Sequence, residues 1–112
     1  MSPTELDAAC RALTGVTMTV QWGDDEVYKV GGRMFAVTSS RGHLSLKVSD
    51  IAFEALVETG RARPAPYPAR AKWVYFDDIA ELDVEETRDW LRTAHTLVAA
   101  KLTRAQRAEI GL

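Results

Sequence analysis

The sequence predicts an α+β domain, an antiparallel meander accompanied by amphipathic helices. Three features predict it. A capping box, Ser2-Pro3-Thr4-Glu5, precedes an apolar helical stripe. Two strand-like runs meet at Gly31-Gly32, the signature of a tight hairpin. A longer helical stripe begins after Asp83. The chain has 112 residues and a mass of 12.4 kDa, one domain's worth.

The elements follow in order. Pro3 sits at the first helical position, and Leu6, Ala9, Cys10 and Leu13 form one apolar stripe that Gly15 ends. Cys10 on that stripe reads as a small buried hydrophobe. Val16 to Trp22 is β-branched, alternating and extended, and Gly23-Asp24-Asp25 is a turn. Val27–Val30 and Arg33–Thr38 flank the two glycines, and His43–Val48 follows a turn at 39–42, giving three antiparallel strands. A two-residue loop pairs Val30 with Arg33, Lys29 with Met34 and Tyr28 with Phe35. Tyr28, Val30, Phe35 and Val37 then share the core face. Lys29, Met34, Ala36 and Thr38 share the other. Leu44, Leu46 and Val48 alternate with Ser45 and Lys47, so one sheet face is greasy and the other small, polar and basic.

Ser49 or Asp50 caps a second helix to about Thr59, with Phe53, Leu56 and Val57 turned inward and Gly60 as its stop. Pro64, Pro66 and Pro68 exclude a helix from 61–72 and limit any strand there to a short or edge one. Trp73–Phe76 is a strand. Asp83 caps the long helix, whose stripe is Thr87, Trp90, Leu91, Ala94, Leu97 and Val98, with Trp90 expected to be buried against the sheet. Thr103 and Gln106 form another capping box, for a short helix to about Ile110. There is no internal repeat and no domain boundary.

Composition narrows the function. Apolar residues at 46% and charged residues at 27% are ordinary globular values. A net charge of −2 argues against a protein that coats nucleic acid by bulk charge, while leaving room for a local basic patch. A single cysteine excludes an internal disulfide framework. No apolar run reaches the roughly 18 residues of a membrane span. Residues 1–5 lack a signal peptide's basic start and apolar stretch, so a cytoplasmic protein is expected.

Catalytic signals are sparse. His43 and His95 lie in different elements and show no metal-ligand spacing. The carboxylates of 77–89 suit a helix N-terminus better than a metal. No nucleophile–base motif, phosphate-cradling loop or dinucleotide fingerprint is present, so no enzyme, metal or cofactor is expected. The basic residues, in contrast, are segregated. Lys29, Arg33, Arg41 and Lys47 occur in a stretch without acids, as do Arg61, Arg63, Arg70 and Lys72, interleaved with Tyr67 and followed by Trp73. The C-terminal stretch adds Arg92, Lys101, Arg104 and Arg107. Basic hairpins with nearby aromatics suit nucleic-acid backbone and base stacking. Lys and Arg on an exposed sheet also serve solubility and edge protection.

The string Val27-Tyr28-Lys29-Val30-Gly31-Gly32-Arg33-Met34-Phe35-Ala36 resembles the hairpin of the MmcQ/YjbR-like family. Leu44-Ser45-Leu46-Lys47-Val48, the Pro-rich segment ending in Lys72-Trp73-Val74, Leu13-Thr14-Gly15-Val16 and Ala100-Lys101-Leu102-Thr103 fit it too. Arg33 stands where that family commonly has lysine. The resemblance covers nearly the whole chain. It implies a CyaY-like α+β fold, helices on one face of an antiparallel sheet in the order α-βββ-α-ββ-α, and DNA binding through a "double-wing" arrangement. No catalytic motif comes with it.

The expected function is therefore non-enzymatic DNA binding. Lys29, Arg33, Lys47 and Lys72 would meet the backbone, Arg41, Arg61, Arg63 and Arg70 would line the edges, and Trp73 or Tyr67 would stack. The alternative is a protein-interaction module using the open sheet face, with Met34, Ala36 and Tyr75 exposed, or an edge strand.

Overall fold

The computed structural model describes residues 1–66 and 72–112. Local chemistry starts each helix where the sequence places it. Helix α1 (Pro3–Arg11) has the full capping box: Ser2 Oγ accepts the Glu5 N–H, and Glu5 accepts the Ser2 N–H in return. Ser49 caps α2 (Asp50–Glu58), and Asp83 caps α3 (Val84–Ala99) by accepting the Glu86 N–H. Thr103 and Gln106 box the start of α4 (Arg104–Glu109).

Among the described residues, the sheet has six antiparallel strands in the spatial order β1-β2-β3-β4-β6-β5. They are β1 (Val16–Gln21), β2 (Asp25–Val30), β3 (Arg33–Thr38), β4 (Leu44–Lys47), β5 (Arg63–Pro64) and β6 (Trp73–Phe76). The expected α+β class and antiparallel sheet stand. The first run of strands is one longer than the order α-βββ-α-ββ-α, because Val16–Gln21 pairs with β2 along its whole length, and α4 extends the other end.

The hairpin register departs from expectation after two pairs. Val30 faces Arg33 and Lys29 faces Met34, but Tyr28 faces Ala36, because a bulge inserts Phe35 as an extra residue. A bulge reverses the alternation beyond it. Phe35 and Ala36 are therefore both buried, Thr38 joins the core side, and Val37 crosses to the open face. The bulge lets consecutive apolar side chains sink under α3, with the Phe35 ring edge-on to His95 at 5.6 Å.

The core lies between that face and the helices. Leu6 and Cys10 of α1, Leu56 of α2, and Leu91, Ala94, Val98 and Ala99 of α3 pack with Tyr28, Val30, Phe35, Leu44, Leu46, Val74 and Phe76. Cys10 is buried as expected, and burial pushes its thiol up to about 12. The Tyr28 hydroxyl ties sheet to helix by donating to Asp7 at 2.7 Å. Trp90 corrects an expectation. It is half-buried, stacked on Phe76 at 5.0 Å, with the Arg61 guanidinium over its ring at 5.3 Å. Its place is the margin of the core, where an amphipathic ring meets a cation. Among the described residues, no helix is long and apolar enough to cross a membrane.

Candidate functional site

Cross-strand partners share a face, so pairing defines the side of the sheet away from α3. Lys29, Met34, Val37, Ser45, Lys47, Trp73 and Tyr75 belong to it. A groove of about 590 Å³ runs over this face. Met34, Val37, Ser45 and Trp73 line it, with Trp22 and Asp25 at the β1–β2 end and Ala65 and Pro66 from the segment after β5. Trp73 is only 6% exposed, whereas Trp22 is 65% exposed. Trp22 and Lys72 are the non-glycine residues with positive φ, +50° and +60°, among the described residues. Both lie beside this face, one in a turn and one leading into Trp73.

A smaller cavity of about 240 Å³ adjoins the groove and shares Met34 and Trp73 with it. Arg33, Lys47, Lys101 and Val98 complete its lining. Three parts of the chain meet here. The hairpin places Arg33. The β4–β6 pairing sets Lys47 opposite Trp73, and the Lys72 carbonyl accepts the Val48 N–H at 3.0 Å. The end of α3 delivers Lys101. Burial first, then the charge of Lys101, holds the Lys47 ammonium below its ordinary value; Lys72 adds to this and Asp50 opposes it. Lys72 also lies over the Phe53 ring at 4.9 Å.

The structure thus brings together part of the expected basic set. Arg33, Lys47 and Trp73 line one cavity at the hairpin end of the sheet, Lys72 is near enough to act on the Lys47 charge, and Lys29 lies on the open face. Arg41 does not join them. It sits in the β3–β4 turn, at the end of the sheet opposite the Gly31-Gly32 hairpin, beside Asp78 and Ile79. Arg61 is bound to Glu86 at 2.5 and 3.1 Å and covers Trp90. Arg63 is bound to Asp77 at 2.5 Å and covers Tyr75 at 5.0 Å. Both arginines are held at the β5 edge by long-range partners. Arg70 and Tyr67 lie outside the described residues. The expected Met34, Ala36 and Tyr75 patch does not form: the bulge buries Ala36, and Tyr75 packs beneath Arg63 and beside His43.

Sequence reasoning did not place Lys101, Trp22 or Asp25 in the site. Lys101 carried a signal, a cation just past the end of a helix where the macrodipole is negative. Of the 77–89 carboxylates, Asp77 pairs with Arg63 at the β5 edge. Glu85, Glu86 and Asp89 belong to the first turns of α3, which packs behind the sheet. Along the helix axis, roughly 18–24 Å separate those acids from Lys101. His43 and His95 are also accounted for: His43 lies 5.1 Å from the Tyr75 ring, and His95 Nε2 lies 2.7 Å from the Thr14 carbonyl oxygen.

A family model described as YjbR matches residues 11–97. The crystal structure of the Deinococcus radiodurans protein DR2400, which carries the domain DUF419, superposes with a TM-score of 0.82 at 30% sequence identity, covering 96% of this chain and 86% of that one. No curated protein matches the chain significantly.

Proposed function

The chain belongs to the YjbR family, and from that premise we propose that it binds DNA through the basic hairpin end of the sheet, without chemistry of its own. The observation that supports this reading is the convergence of Arg33, Lys47, Lys72 and Lys101 from three separate parts of the chain. Like charges repel, so gathering them costs stability, and a bound polyanion would relieve that repulsion. Lys29 extends the same face toward β1. A reading without catalysis fits the surroundings of both histidines and the cysteine: His95 lies on the Thr14 carbonyl, His43 against the Tyr75 ring, and Cys10 in the core. A free, buried cysteine suits a reducing compartment, and the proposal places the protein in the cytoplasm.

Salt titration tests the reading. Phosphate contacts release counterions, so four of them give a log–log slope of about −3.6 for duplex DNA and about −2.8 for a single strand. Lys101→Gln and Arg33→Gln should each lower the slope by roughly one contact's share and weaken all sequences alike. Arg63→Gln should leave the slope unchanged, since Arg63 is already paired with Asp77. Absence of binding to duplex and single strand at low salt would refute the proposal. A protein partner is the second reading, favoured by the apolar groove and the exposed Trp22. Its mark would be an interaction that salt does not weaken.

A further inference from the structure

Phosphate contacts use only the hairpin end of the sheet and leave the larger groove without a role. We propose that this groove receives an unpaired base of a single strand, stacked on Trp22, while the adjoining phosphates lie on Arg33, Lys47, Lys72 and Lys101. The inference rests on the nucleic-acid reading above and specifies its ligand.

The first argument is continuity. Groove and basic cavity share Met34 and Trp73, so a strand with a phosphate among the cations can continue into the groove. The second is the indole. Trp22 leaves 65% of its surface in solvent, although tryptophan is usually well buried, and it does so from a backbone with φ +50°. The main core gains nothing from that ring. A nucleobase offers a flat apolar face, and every base can stack on such a platform.

The third argument is charge complementarity. The cavity adjoining the groove carries Arg33, Lys47 and Lys101, and the groove itself carries the Asp25 carboxylate beside Trp22. A nucleotide has the matching polarity, an anionic phosphate at one end and, in cytosine, adenine and guanine, an amino group on the base edge at the other. A carboxylate accepts from such an amino group, as Asp and Glu do from cytosine N4. Thymine presents a carbonyl at the equivalent position and would be disfavoured beside Asp25. In a duplex the same edges are paired and the faces stacked, so only an unpaired base fits.

The experiment follows fluorescence anisotropy of four labelled probes: a short oligo(dC) strand, the same strand built of abasic sugars, oligo(dT) and a duplex. Oligo(dC) should bind more tightly than the abasic strand. Trp22→Ala should weaken oligo(dC) about tenfold or more and leave the abasic strand unchanged, while Trp22→Phe keeps most of the affinity. Asp25→Asn should narrow the preference for oligo(dC) over oligo(dT). If the abasic strand binds as tightly as oligo(dC), or if Trp22→Ala changes neither, the base site is overturned and the phosphate reading still stands. If no probe binds at low salt, both fall together.

Discussion

Gly31 offers the sharpest test of how the site is assembled. The hairpin turn holds two glycines in the left-handed region, Gly31 at φ +57° and Gly32 at φ +79°. An L-residue there costs about 1–2 kcal/mol, of which the stiffer unfolded chain returns about 0.4–1. The surroundings separate the two positions. A Cβ at Gly32 meets nothing within 4 Å, whereas one at Gly31 falls 2.6 and 2.7 Å from the Leu102 methyls. Leu102 is buried against the core next to Lys101 and cannot withdraw freely. Overpacking of this kind costs a further ~1–3 kcal/mol. Gly32→Ala should therefore lose about 1 kcal/mol, and Gly31→Ala roughly 2–4. Urea denaturation followed by circular dichroism measures both. Combining Gly31→Ala with Leu102→Ala should cost less than the sum of the single changes, by about the 1–3 kcal/mol of the clash. Equal losses at the two glycines, or strict additivity with Leu102→Ala, would refute the close approach. Because this contact sets Arg33 beside Lys101, Gly31→Ala should weaken the proposed DNA binding more than Gly32→Ala does.

Two further outcomes are expected. Trp90→Ala should cost about 2–3 kcal/mol, below the 3–5 of a fully buried aromatic, because the ring is half-buried between Phe76 and Arg61; iodide should quench Trp90 partially in a variant lacking Trp22 and Trp73. Tyr28→Phe should cost about 1 kcal/mol near neutral pH, since it removes the hydroxyl that donates to Asp7. That hydrogen bond, followed by Arg11 against an opposing burial effect, holds the Asp7 carboxyl below its ordinary 3.8. A depressed carboxyl contributes stability that is present above its unfolded pKa and is lost as pH falls through the folded one. The gap between wild type and Tyr28→Phe should therefore shrink below about pH 4 in acid titrations of stability.

What the sequence made legible was mostly local. The capping residues Ser2, Ser49, Asp83 and Thr103 act within three residues of their partners, and the glycine pair sets its own turn. The bulge at Phe35 was not legible. It answers a demand from outside the hairpin, the burial of two consecutive side chains beneath α3. The basic site was half legible for the same reason. Acid-free stretches can be read from the chain, but Arg61 and Arg63 find carboxylates 25 and 14 residues away and leave the set. Lys101 enters the site only because α3 spans the back of the sheet and delivers its end beside the hairpin.

The strand order also has a kinetic consequence. Strands β1 to β4 lie side by side in chain order, joined by short turns, so each pairing closes a small loop at low entropic cost. Strand β6 must return to β4 across the whole of α2 and the proline-rich segment, and pairings of that separation form slowly. The cavity lined by Arg33, Lys47, Trp73 and Lys101 needs both the meander and that late closure. Amide exchange should accordingly find β6 opening more readily than the β2–β3 hairpin, with this cavity as the last region completed in folding and the first to come apart.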